Sequence, residues 1–143
     1  MEKETSIAAE EIQLIKIEVV RNKIDVSLFK KVSKPLLTLA HQTLNQTEEN
    51  RIKIEMIFSF KDNNDIEIFL IQINFLYNIK NLVDYYETKE DNNPIFSTSL
   101  IATLRSISYS TSRGIVFEKL DALGIKNIII PAISPNTLLG DDL

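Results

Sequence analysis

Apolar and polar positions alternate with a period of two through most of the first half of the chain. Between residues 12 and 20, Ile12, Leu14, Ile17 and Val19 are apolar, and the pattern resumes at Ile24, Val26 and Leu28. This predicts one or two strands, broken near Arg21-Asn22-Lys23. Residues 35–47 admit two patterns: Leu37, Leu39 and His41 alternate as in a strand, while Leu36, Leu37, Ala40 and Leu44 fit a helical stripe. We read them as a strand. Residues 51–60 are clearer, with Ile52, Ile54, Met56, Phe58 and Phe60 on one face and Arg51, Lys53, Glu55 and Ser59 on the other. Lys61-Asp62-Asn63-Asn64-Asp65 supplies turn chemistry, because Asn and Asp tolerate left-handed backbone and bond their own main chain. A hairpin into a strand over 66–79 follows. That strand exceeds the usual length of about 5–6 residues, which predicts a bulge or bend in it. Ile66, Ile68, Leu70 and Leu76 fall on one of its faces, and Phe69, Ile71, Ile73, Phe75 and Tyr77 on the other. A strand apolar on both faces needs cover on both.

After a polar linker over 87–93 the period lengthens. Asn93 offers a helix N-cap and Pro94 a first helical position. Phe96, Leu100, Leu104, Ile107 and Thr111 keep helical spacing, and Ile101 widens the stripe. Ile115, Val116, Lys119, Leu120 and Leu123 continue it past Gly114, which costs about 1 kcal/mol against Ala and predicts a kink. Gly124 is the expected C-terminal cap. Ile128-Ile129-Ile130-Pro131-Ala132-Ile133 is extended, and Ser134-Pro135 opens a last short helix through Leu139. The expected class is α+β: a four-stranded antiparallel meander sheet, then a long helix, an extended crossover and a short C-terminal helix. All of it forms one domain over 1–143, with a frayed lead-in at 1–10, the sheet within 12–79 and the helical part within 94–139. One helix covers one face of such a sheet, so the second apolar face is expected to be an oligomer interface or a binding surface.

Composition narrows the function. The chain has 143 residues, 44% hydrophobic and 25% charged, as in one ordinary globular domain. Sixteen basic and twenty acidic side chains give a net charge of −4, which argues against nucleic acid as a partner. The absence of Cys excludes thiolate metal sites and Cys nucleophiles, and a single His, His41, excludes a paired-His site. None of the three Gly lies in a phosphate-cradling pattern. An EF-hand starting at Asp62 fails, because Glu67 and Ile73 stand where the loop needs Gly and Glu. The expectation is a non-enzymatic chain with no cofactor and no metal. The polar start and the lack of any run near the ~18 apolar residues of a membrane span predict a cytoplasmic protein without a membrane partner.

The order of these features resembles the SecB-type chaperone family, from about residue 14 to 139. The resemblance rests on the strand series, then Arg105 early in the helix and Ser112-Arg113-Gly114 later, then the segment 128–133 and Asn136-Thr137-Leu138-Leu139. The hairpin at 62–67, acidic and followed by a long apolar strand, is also similar. The stretch 115–126 is longer than in the export chaperone and the tail 140–143 shorter, which is closer to divergent SecB-like proteins, some of them dedicated antitoxin chaperones. The resemblance implies a homotetramer, a dimer of dimers, that holds unfolded polypeptide clients in apolar grooves without ATP. Its further partners would be the SecA-type export motor or an antitoxin. An adaptor subunit for one folded protein is the alternative of a different class.

On that reading the groove residues are Met56, Phe58, Phe69, Ile71, Phe75 and Tyr77, because aromatics and Met suit promiscuous contact. Ile128, Ile129 and Ile130 would floor the same groove. Asp62, Asp65 and Glu67 form a candidate acidic docking face for the motor. The competing reading makes the first set core or interface and the acidic set a solvated turn. Arg105 and Arg113 are expected to be structural.

Overall fold

The computed structural model describes residues 7–89, 91–126 and 128–133. Four long strands, β1 (Ile12–Ile24), β2 (Leu36–Gln46), β3 (Arg51–Lys61) and β4 (Glu67–Ile79), form one antiparallel sheet. A short helix α1 (Val26–Lys31) joins β1 to β2, and a long helix α2 (Thr98–Ala122) follows the sheet. The class is therefore α+β, as expected. One part of the topology differs from a plain meander. The order is β1-β4-β3-β2, so β2, β3 and β4 are consecutive neighbours while β1 lies beside β4.

The reason is local. Ile24, Val26 and Leu28 alternate like a strand, yet Asp25 caps a helix there, its carboxylate accepting from the Leu28 amide at 3.0 Å. The turn this makes buries Phe29 against Phe60 and Phe69, with ring centroids 5.4 and 6.1 Å away. α1 thus crosses the end of β4 and β3 and delivers the chain to the far edge. The expected break at residues 21–23 is absent, and β1 continues to Ile24.

β3 and β4 make the core. Register pairs Ile52 with Tyr77, Ile54 with Phe75, Met56 with Ile73 and Phe58 with Ile71, so all point to one side, where each is fully buried. At ~1.5–3 kcal/mol per large apolar side chain buried, these pairs dominate folding. The other side of β4 is less apolar than a reading from Leu70 and Leu76 suggests, because Gln72, Asn74 and Asn78 interleave there. Two bulges lie in β1, at Leu14/Lys16 and Val19/Arg21, and the irregularity expected in the long strand lies near the start of β4, where Ile68 is the extra residue opposite Phe60/Lys61.

α2 begins four residues later than Pro94 suggests. Asp91 accepts from the amide and side chain of Asn93 at 3.1 and 2.9 Å, making a turn. Pro94 then enters a two-stranded ribbon, β5 (Tyr86–Thr88) with β6 (Pro94–Phe96). Ser97 is the cap instead, accepting from the Leu100 amide at 3.0 Å. The helix runs unbroken through Gly114. It ends as expected at Gly124, with φ +76°. There the Ile125 amide reaches the Leu120 carbonyl at 2.9 Å and the Gly124 amide that of Asp121 at 3.0 Å, closing a Schellman motif. The extended segment 128–133 follows as expected; the short helix proposed for 134–139 lies outside the described residues.

The two glycines make opposite predictions. A Cβ at Gly114 meets no atom within 4 Å, so Gly114→Ala raises stability by about 0.5–1 kcal/mol. Gly124→Ala lowers it by a similar amount, because the left-handed backbone there disfavours a side chain. Urea denaturation of the two variants checks both signs.

Candidate client-binding surface

α2 packs on β3 and β4 and reaches β2 through Arg105, whose Nε and a terminal guanidinium nitrogen donate to Thr43 Oγ1 at 3.0 and 2.8 Å. Tyr109 stacks on Phe58 with centroids 5.9 Å apart. Between α2 and β1 there is no comparable packing. The side chains of β1 on the helix side, Leu14, Ile17 and Val19, pair across to Tyr77, Phe75 and Ile73 but remain 37–43% exposed. Among the described residues β1 is also an edge strand, bonded only to β4. The result is a trough beside the helix, floored by an apolar strand whose outer backbone groups have no strand partner among the described residues.

The sequence carries a signal for this strand. Leu14-Ile15 and Val19-Val20 are apolar doublets that break a two-residue period, and each doublet coincides with a bulge. Bulges increase twist and are concentrated at sheet edges. Ile15 and Val20, at 43% and 42% exposure, add apolar area at these points.

A second apolar surface lies on α2. Ser110, Arg113, Gly114, Phe117, Ile129 and Ile130 line a notch of about 310 Å³ between the helix and the crossover. Phe117 and Ile129 are its exposed apolar members, at 57% and 80%. The crossover is clamped by two side chains of the helix. Arg113 Nε donates to the Ile130 carbonyl at 2.9 Å, and the Tyr109 hydroxyl donates to that of Pro131 at 2.5 Å. Arg105 and Arg113 thus have structural contacts.

The expected groove residues fall elsewhere. Met56, Phe58, Phe69, Ile71, Phe75 and Tyr77 do come together, on one face of β3 and β4, but at 0–1% exposure they are the core beneath α2. A client would reach them only if the helix lifted. Of the three crossover residues, Ile129 is exposed, Ile128 half-buried and Ile130 buried. Within the acidic set, the Asp62 carboxylate is turned inward, accepting from the amides of Asn64 and Ile66 at 2.9 Å each. Asp65 pairs with Lys61 at 3.4 Å, and Glu67 accepts from Ser59 Oγ at 3.2 Å. His41 is buried opposite Met56. Among the described residues no three His, Cys, Asp or Glu side chains are placed to hold a metal, and no helix is long and apolar enough to cross a membrane.

No family model matches the sequence, and no curated protein matches it closely enough to count as a relative. Solved structures do. The SecB-like chaperone Rv1957 of Mycobacterium tuberculosis, determined in complex with a ChAD peptide from the Rv1956 HigA1 antitoxin, aligns over 88% of this chain and 90% of its own, with a TM-score of 0.53 at 14% identity. The chain has the SecB-like chaperone fold. A protein of unknown function from Streptococcus agalactiae aligns over 85% of this chain and 97% of its own at 15% identity, but its TM-score of 0.43 is too low to carry an argument. The fold expected from Arg105, the Ser112-Arg113-Gly114 run and the extended crossover is the fold found.

Within this SecB-like fold, the position of α2 on the sheet is held by buried hydroxyls. Tyr77 Oη and Ser108 Oγ share a hydrogen bond of 2.8 Å. Burial pushes the Tyr77 phenol above its ordinary value, with the Ser108 bond opposing. Tyr109 is raised by burial too, with Arg113 pulling it down. A phenol raised in the folded state contributes stability that is intact below its unfolded value of about 10 and is lost as pH climbs from there toward the folded value. Tyr77→Phe is therefore expected to lower stability by about 1 kcal/mol at neutral pH and to make the alkaline loss shallower. Urea denaturation at neutral and alkaline pH measures both.

Proposed function

We propose that this chain is a non-catalytic chaperone that holds unfolded or aggregation-prone polypeptide segments without ATP. One observation carries the reading: β1 presents Leu14, Ile17 and Val19 to solvent along an edge with no strand partner among the described residues. Monomeric proteins rarely leave such a strip bare. An extended client segment fits it by adding main-chain hydrogen bonds to the free edge while its alternate side chains enter the trough. Apolar burial at about 25 cal/mol per Å² gives several shallow contacts without demanding a sequence. The antitoxin peptide on the Rv1957 chaperone supports polypeptide as the ligand class, and a dedicated antitoxin-type partner as the narrower version.

The homotetramer belongs to the same proposal. The outward face of α2 carries Ser99, Thr103, Ile107, Ser110, Gly114 and Phe117, with no charge among them. The helix has only Arg105 and Arg113 as charged residues before Glu118, and both are engaged within the chain. An uncharged face of small residues lets a second copy's helix pack closely.

Two variants separate the surfaces. Ile17→Lys with Val19→Lys is expected to abolish suppression of aggregation when an unfolded protein is diluted from denaturant, while the assembly keeps its mass. Ser110→Glu is expected to reduce that mass, read by light scattering after size exclusion. Failure of the unaltered protein to capture any of several unfolded proteins would remove the general holdase and leave the dedicated partner.

A further inference from the structure

The side of the sheet away from α2 carries a charge pattern opposite in sign to the whole chain. Strand pairing sets it out in rows. Lys16, Leu76, Lys53 and Leu44 form one row, and Glu18, Asn74, Glu55 and Gln42 the next. Arg21, Gln72, Ile57 and Ala40 follow, then Lys23, Leu70, Ser59 and Thr38. Arg51 stands opposite Asn78 in the row beyond Lys53 at one end, and the row of Lys61 and Glu67 closes the other. This face thus has six of the chain's sixteen basic side chains and three of its twenty acidic ones. The chain as a whole has a net charge of −4.

Its carboxylates are already engaged. Glu18 pairs with Lys16 at 3.2 Å and Glu55 with Lys53 at 3.5 Å, and Glu67 accepts from Ser59. Arg21, Lys23 and Arg51 have no carboxylate partner among the described residues. Arg21 is held over the sheet by its Nε bond to Gln72 Oε1 at 2.9 Å. Gln72 in turn donates to Asn74 Oδ1 at 3.0 Å. The Arg51 Nε is buried without a hydrogen-bond partner. Beside it is a cavity of about 380 Å³, lined by Leu44, Asn45, Gln46, Arg51, Lys53 and Leu76.

We propose that this open face is a docking surface for an acidic polypeptide segment, with an apolar residue seated between Leu44 and Leu76 and flanking carboxylates on Arg51 and Lys53. Charge complementarity selects the sign of the partner and steers its approach. The amide side chains of Gln42, Asn74 and Asn78 offer donors and acceptors to an extended main chain. Nucleic acid fits less well, because the Glu18–Glu55 row lies across any phosphate track and the face has no aromatic side chain on which a base could stack. This surface is on the opposite side of the sheet from the β1 trough, so the proposal does not rest on the holdase reading.

Fluorescence anisotropy tests it with a short labelled peptide of alternating Glu and Leu. The comparison probes are its Lys-for-Glu counterpart, a single-stranded oligonucleotide and anionic phosphatidylserine vesicles. The acidic peptide is expected to bind most tightly and to weaken with salt. Arg51→Glu with Lys53→Glu should cost roughly tenfold in affinity, and Arg51→Gln with Lys53→Gln less in the same direction. Circular dichroism should remain native for both pairs. Ile17→Lys with Val19→Lys should bind the acidic peptide as the unaltered protein does. Equal binding of both peptides, no effect of the charge variants, loss only in the β1 variant, or tighter binding of the oligonucleotide or vesicles would each overturn it.

Discussion

The width of one helix against four strands governs this molecule. Strands lie ~4.8 Å apart, so four of them present a face about 15–20 Å across, while a helix with its side chains covers ~10 Å. α2 lies over the middle of the sheet, where Phe58, Phe75 and Tyr77 are fully buried, and its Arg105 reaches β2. β1, at the edge beyond β4, keeps Leu14, Ile17 and Val19 37–43% exposed. The apolar side chains of β1 are thus exposed for a geometric reason, not for lack of hydrophobicity. Such surface is an aggregation hazard unless something occupies it.

What keeps the helix from sliding over β1 is a set of polar contacts, most of them buried. Tyr77–Ser108 ties the helix to β4, and Arg105–Thr43 ties it to β2. Arg113 and Tyr109 then tie the crossover to the helix. A shift of the helix toward the edge would break these bonds and strand their desolvated partners, at about 1–3 kcal/mol for each group. Apolar packing alone would tolerate such a shift far more cheaply. The exposed strip is therefore a held state, and the Arg-Gly run in the helix has a clear physical role: Arg113 anchors the crossover, while Gly114 keeps the notch beside it open.

Charge is sorted by the sheet. Alternation in β1, β3 and β4 sends Ile and Phe to one side and Lys, Arg and amides to the other. The acidic excess is accommodated elsewhere, and the two sides of one sheet offer different chemistry. One is apolar out to its edge strand; the other is cationic and amide-rich. Because a strand shifted by one residue exchanges its faces, the bulges at Leu14/Lys16 and Val19/Arg21 are what keep Lys16, Arg21 and Lys23 together on the cationic side.

Strong local signals were legible in the residue order. The alternation in β3, the Asp62–Asp65 turn and the stop at Gly124 depend on side-chain period and on backbone freedom within a few residues, and all three appear where the pattern puts them. The α+β class follows from the change of period after residue 93. The candidate site was only half legible. Met56, Phe58 and Phe69 have the right chemistry for a groove, but whether an apolar strand face is core or surface depends on which strands the helix covers. That is set by long-range contacts, through the α1 crossing that puts β1 beside β4 rather than β2. Asp25 and Phe29 redirected the chain there, and Asp91 with Asn93 delayed the helix to Ser97. The sequence by itself determined which side chains share a face. Tertiary structure decided which face is covered, because burial is a property of neighbours that come from distant parts of the chain.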